Sequence, residues 1–199
     1  MSISPLLQRG ITLIEQIVFI VIVSVGVMGL VSVMNPAIRA SADPMLTKQL
    51  VAIAESLLNE VMHQPFTWCD PDDGNAATAL AYTGPVGPGV CETNPQNALG
   101  PVPGDESRSA TAPGKGFDNV ADYAGFAMDN VADPANGSVL NGYRAEVAIV
   151  QAGADFLLPA DAVLAVTVTT CRVATPSAPC AGRDSFALTG YRFRYAPRI

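Results

Sequence analysis

Arg9-Gly10-Ile11-Thr12-Leu13-Ile14-Glu15 opens an apolar run that continues to Met34. From Ile11 to Met34 there are 24 residues, roughly 36 Å of helix at about 1.5 Å per residue, enough to cross a bilayer. One carboxylate, Glu15, lies inside this stretch. An ionised acid in hydrocarbon is costly and needs a partner or a task. A cut between Gly10 and Ile11 would create an α-amino group a few residues from Glu15. On a neighbouring copy of the helix, that ammonium would neutralise the carboxylate as helices bundle. A secretory signal fits less well, because the run is too long, carries an acid near its start and has no Ala-x-Ala site. A plain single-pass anchor is the stronger rival, with Arg9 holding the N-terminus on the cytoplasmic side.

This arrangement resembles the prepilin signal of the type IV pilin-like family. The resemblance implies that a prepilin peptidase cuts after Gly10 and that the new N-terminus, Ile11, is methylated. The helix then serves as membrane anchor and later as filament core. Phenylalanine is the commonest residue after the cut in that family, and here the position is Ile11.

The 199 residues leave room for one anchor and one modest domain. The mean hydropathy of +0.30 is carried largely by the N-terminal run. Charge is uneven: three basic and four acidic residues in 1–68, two and ten in 69–141, six and four in 142–199. An acidic middle argues against a nucleic-acid platform, which needs clustered basic charge. All four cysteines, Cys69, Cys91, Cys171 and Cys180, follow the anchor. Outside the cytoplasm disulfides are the default. Of three possible pairings the sequential one is favoured, because Cys69–Cys91 and Cys171–Cys180 each bridge a Pro/Gly-rich excursion. Each closure should contribute about 3 kcal/mol. Zinc is the rival, but no pair has Cys-x-x-Cys spacing and His63 is the only histidine.

Beyond the anchor, Asp43 is suited to cap a second helical segment and Pro44 to its first turn. Leu46, Leu50, Ile53, Ala54, Leu57, Leu58, Val61 and Met62 recur at helical spacing, with polar residues on the other face. Gly26, Gly29 and Asn35-Pro36 weaken the join between the segments. Residues 64–141 read as a long loop region with no assigned element. They contain a short echo, Asp118-Asn-Val-Ala-Asp122 and Asp129-Asn-Val-Ala-Asp133. Period-two runs at 143–150, 162–170 and 186–195 predict three strands in an antiparallel meander. The expected organisation is a leader at 1–10, a transmembrane helix at 11–34, its amphipathic continuation at 35–63 and a head at 64–199. The head is loop-rich over 64–141 and stranded over 142–199. The fold class is α+β: a long N-terminal helix packed on a small antiparallel sheet.

Further stretches resemble a narrower group, the D-type minor pilins of mannose-sensitive haemagglutinin (MSHA) pilus systems. They are Ser41-Ala-Asp-Pro-Met45, the Gln49–Leu58 helix, Phe66-Thr-Trp-Cys-Asp-Pro-Asp-Asp73, Phe117–Phe126 and Gly190-Tyr-Arg-Phe-Arg-Tyr-Ala-Pro197. The resemblance implies a non-enzymatic subunit that initiates, caps or modifies an adhesive pilus. Its implied partners are the membrane, the prepilin peptidase, major and minor pilins and the pilus assembly machinery. Its implied location is the inner membrane of a Gram-negative bacterium with a periplasmic head, and then the pilus. A minor pseudopilin of a type II secretion system is one alternative, and a tip adhesin or DNA-uptake pilin another.

Glu15 is the candidate assembly residue, against the simpler account of an acid satisfied by the Thr12 hydroxyl. Asp70, Asp72, Asp73 and Asn75 crowd oxygen ligands beside Cys69, but Gly74 arrives one place early for an EF-hand and Ala81 stands where its glutamate would be. For these, and for Asp118 and Asp122, solvated turn acids are the expectation, with no metal and no cofactor. Arg192 and Arg194 alternate with Tyr191, Phe193 and Tyr195, which predicts aromatics inward and arginines guarding an exposed strand edge rather than a DNA- or glycan-gripping strip. His63 has no catalytic companion in sequence.

Overall fold

The computed structural model describes residues 12–84, 87, 89–110, 112–133, 137–173, 177–180, 182 and 184–194, with the side chains of 33–43 left aside. Gly10, Ile11 and Tyr195 therefore lie outside the described residues, as do the last residues of the 190–197 motif. The chain divides into two compact units, Met1–Met45 and Leu46–Ile199. Helix α1 (Leu13–His63) contributes to both.

In the first unit the backbone is helical from Leu13 and stays so through Gly26, Gly29 and Pro36. Leu13–Ser32 is long and apolar enough to cross a membrane, with a mean hydropathy of 2.4. The helix does not restart at Asp43-Pro44, so Asp43 is not the N-cap expected from the sequence. Pro36 and Pro44 each forgo one i→i−4 hydrogen bond. The unbroken turns on either side supply the rest of the ladder.

In the second unit the rest of α1 buries one stripe: Leu50, Ile53, Ala54, Leu57 and Val61. Spacings of three and four residues put these side chains on one face. They meet a four-stranded antiparallel sheet in the order β1-β2-β3-β4, formed by Ala127–Ala132, Val139–Gln151, Val163–Arg172 and Ser185–Phe193. Alternation selects Ala145, Val147 and Ile149 from β2 and Leu164, Val166 and Val168 from β3 for the inner face. Each large aliphatic residue so buried contributes about 1.5–3 kcal/mol. The Thr170 hydroxyl donates to the Leu50 carbonyl at 3.0 Å, joining sheet to helix inside the core. Gly190 completes the contact, since a Cβ there would touch Leu58 and Met62 at 3.5 Å.

Three strands match the expected runs, and β1 is an addition from the stretch read as loop. Its sequence carries Asp129-Asn130, which argues for a turn. Asn130 sits at φ 57° where the β1–β2 register shifts between Asp129 and Val131, so the turn-forming pair makes a bulge within a strand. The described residues of 64–118 form turns and isolated bridges, Cys69–Pro95, Ala81–Val90 and Ser107–Gly116. Both sequential disulfides are present, Cys69–Cys91 and Cys171–Cys180.

Candidate functional site

The first unit presents its apolar side chains outward: every described residue from Thr12 to Ser32 is exposed. Thr12 caps the helix by accepting the Glu15 backbone N–H at 3.4 Å. The Thr12 hydroxyl is thus engaged with the Glu15 backbone, and the carboxylate stands on the exposed surface one turn into the apolar span. Ser24 satisfies its own hydroxyl on the Ile20 carbonyl at 2.7 Å, which lets a polar residue sit in the span.

In the second unit the acids beside Cys69 have three different fates, and the expectation of solvated turn acids fails for Asp70 and Asp73. Asp72 is exposed. Asp73 is buried and accepts the backbone N–H groups of Asn75, Glu92, Thr93 and Asn94 at 2.8–3.1 Å. Burial works against its ionisation, but these N–H donors outweigh it and hold the carboxyl well below the usual range. Asp73 thereby staples the segment after Cys91 to the segment after Cys69, next to the disulfide that joins them. Asn75 adds side-chain bonds to the Gly87 and Val90 carbonyls.

Asp70 belongs elsewhere. It is fully buried, its Oδ1 accepts the Asp72 N–H at 2.9 Å, and its Oδ2 meets no hydrogen-bond donor. One oxygen from each of Asp70, Glu106, Asp118 and Asp122 lies within 4.8 Å of the others. The Asp118 and Asp122 expectation is therefore corrected as well. Asp122 is 1 % exposed, held by a short 3-10 turn, Val120–Tyr123, whose Val120, Ala121 and Tyr123 are also buried. Its Oδ2 accepts the N–H groups of Asn119 and Asp118, while its Oδ1 faces the other acids without a donor. Asn119 closes the reciprocal cap and donates to the Thr67 hydroxyl at 3.1 Å. Burial, then repulsion from Asp122, Asp70, Asp118 and Asp72, pushes the Glu106 carboxyl up to about 8. Burial, then Asp70, Asp122 and Asp72, raises Asp118 to about 7. For Asp122 burial outweighs its backbone hydrogen bonds and lifts it to about 6.

Sequence spacing groups Asp70 with its neighbours 72–75. Folding instead groups it with residues far along the chain, because the Cys69 segment and the 3-10 turn share an anchor: the Val120 N–H donates to the Pro65 carbonyl. Glu106 was not foreseen, and nothing in its surroundings in sequence marks it. A second unforeseen group is an Arg108–Glu60 ion pair with two bonds of 2.7 Å, extended by the Tyr123 hydroxyl on Glu60 at 2.9 Å.

The arginine strip is inverted relative to expectation. Tyr191 and Phe193 point outward and pack edge-on around Phe156, while Arg192 reaches the Gln64 carbonyl at 3.1 Å. The Arg194 side chain is 6 % exposed. Its guanidinium stacks over Phe66, Trp68 and Tyr82 at 4.3, 4.0 and 4.9 Å, with further bonds to Asp161 and the Tyr82 hydroxyl. Aromatic faces, a carboxylate and a tyrosine hydroxyl receive the cation from inside, leaving only its Nε without a partner, so period-two alternation alone chose the wrong face. Arg194 is committed to internal contacts and not available to grip a phosphate. All four cysteines are oxidised, which removes the thiolates a zinc site would need. His63 turns back to the Asn59 carbonyl at 2.6 Å at the end of α1.

No protein-family model, curated protein or solved structure matches this chain.

Proposed function

We propose that the chain is a minor subunit of an MSHA-like type IV pilus, cut between Gly10 and Ile11 and held in the inner membrane until it enters the filament. The observation that carries this reading is the helical span Leu13–Ser32, exposed on every side, with a carboxylate in its first turn. Such a surface suits lipid, and it equally suits a bundle of similar helices, where packing and polar pairing replace lipid contact. Glu15 is out of place in the first setting and useful in the second, where a neighbour's Ile11 ammonium would neutralise it and fix axial register. The disulfide-bonded second unit fits an oxidising compartment.

The test follows an epitope-tagged chain through sheared pili and inner membrane. Glu15→Ala and Glu15→Gln should insert normally and be lost from pili, and the wild-type chain in pili should begin at a methylated Ile11 by intact mass. Normal recovery of Glu15→Ala in pili, or retention of Met1 in pili, would sink the proposal.

A further inference from the structure

We propose that Asp70, Glu106, Asp118 and Asp122 form a binding site for one divalent cation of the calcium class. This inference concerns the second unit alone and stands whether or not the chain enters a pilus.

Five oxygens carry it: Asp70 Oδ2, both Oε atoms of Glu106, Asp118 Oδ1 and Asp122 Oδ1 have no hydrogen-bond partner of ordinary geometry, although Asp70 and Asp118 are close enough to share a proton and the Val102 N–H approaches Asp122. Asp70, Glu106 and Asp122 are 0 %, 7 % and 1 % exposed. Buried carboxylate oxygens without donor or counter-charge are expensive, and gathering five of them compounds the cost. The only basic residues of the 69–141 stretch are Arg108 and Lys115. Arg108 is spent on Glu60 and the Ala132 carbonyl, and Lys115 on Asp105.

The geometry suits one ion. Two ligands of the same calcium lie no farther apart than twice the Ca–O distance of about 2.4 Å. One oxygen from each of the four acids satisfies that limit, with all of them within 4.8 Å of one another. Glu106 offers both oxygens, the bidentate mode calcium favours, and the set reaches five before any carbonyl or water is added. Magnesium is the weaker candidate, since it keeps several waters and seldom takes so many carboxylates. The all-oxygen donor set also disfavours zinc and copper.

The positions of the ligands suggest what the ion does. Asp70 follows a bridged cysteine, Glu106 closes the 103–106 turn, and Asp118 and Asp122 flank the cap of the 3-10 turn. One cation would therefore join three separate pieces of a region built largely from turns, doing there what ladder hydrogen bonds do in the sheet.

The experiment uses the full chain in detergent micelles, stripped with EGTA and dialysed at neutral pH, then titrated with calcium chloride alone by calorimetry and followed in thermal melts. One calcium per chain should bind with a dissociation constant of about 10⁻⁴ M or tighter. At roughly a hundredfold excess over that constant, the melting temperature should rise by about 5–10 °C. Glu106 accepts no hydrogen bond, so Glu106→Gln should fold and, in EGTA, melt at or above the parent. It should weaken calcium binding by about 100-fold or more. Asp118→Asn is the second variant, with the same expected loss of binding, and Asp155→Asn on the exposed surface should change nothing. No calcium uptake at millimolar concentration, or unchanged affinity in Glu106→Gln or Asp118→Asn, would overturn the site. An equal response to magnesium would overturn the calcium assignment.

Discussion

Asp118-Asn119-Val120-Ala121-Asp122 and Asp129-Asn130-Val131-Ala132-Asp133 are the same five residues in different conformations. In the first copy the asparagine is extended (φ −122°, ψ 149°) and caps a 3-10 turn. In the second it is left-handed, φ 57°, and makes a bulge in β1. The first valine is fully buried and the second half-buried. Asp122 turns into a nest of acids, whereas Asp129 pairs with Arg144 at 2.8 Å and Asp133 accepts the Gly137 and Ser138 N–H groups. Five identical residues have no conformation of their own. Phe117 and Tyr123 pack edge to face beside the first copy, and the long β2 offers a ladder to the second. The surroundings decide between turn and strand.

That contrast can be broken one residue at a time. The largest effect belongs to Asn119→Ala, which removes a buried cap and the bond to Thr67. It should cost the second unit about 3 kcal/mol in chemical denaturation. Truncating the valines comes next. Val120→Ala should cost about 2 kcal/mol and Val131→Ala less than about 1, because only the first leaves a cavity in the closed core. Equal losses would mean that the two copies are buried alike. The asparagines should then trade places in their response to glycine. Asn130→Gly keeps the left-handed backbone and should stay within about 0.5 kcal/mol of wild type, while Asn130→Ala should lose about 1.

The two copies should also show an opposite dependence on pH, read from urea midpoints between about pH 3 and about pH 8 with divalent ions chelated. Asp118 and Asp122 titrate higher in the folded chain, at about 7 and about 6. Their folded forms hold protons that the unfolded chain has released, so stability falls as pH climbs from about 4 through that range. Asp129 is shifted the other way, chiefly by the Arg144 hydrogen bonds. Its contribution is present above the unfolded pKa of about 3.9 and is lost as pH drops through the folded value. Asp118→Asn should flatten the neutral-side fall and Asp129→Asn the acid-side one. The same slope change from both would erase the distinction.

Legibility in the sequence followed the range of the interactions. The apolar span, the stripe from Leu50 to Val61, and the alternation in β2 and β3 are periodic, so their buried faces could be read directly. The cysteine pairing could be read because each bridge closes a short excursion. Asp70 and Glu106 could not be grouped, since nothing local joins residues brought together by a disulfide, a turn and the Val120–Pro65 bond. Arg194 defeated alternation for a different reason: a guanidinium can be satisfied inside a core if three aromatic rings receive it. β1 was hidden because Asp129-Asn130 is turn chemistry that a bulge can also use.

The aromatic box around Arg194 has a consequence for the order in which the head is completed. Its rings come from Phe66, Trp68 and Tyr82, and the cation arrives 112 residues after Tyr82. In chain order the rings come early and their cover late. Cys69 and Cys91 can be oxidised in that interval, since both emerge well before Arg194. Until Arg194 is in place, Phe66, Trp68 and Tyr82 lack the cation that covers them. Closure of the box thus waits on Arg194, just after β4, rather than on either disulfide.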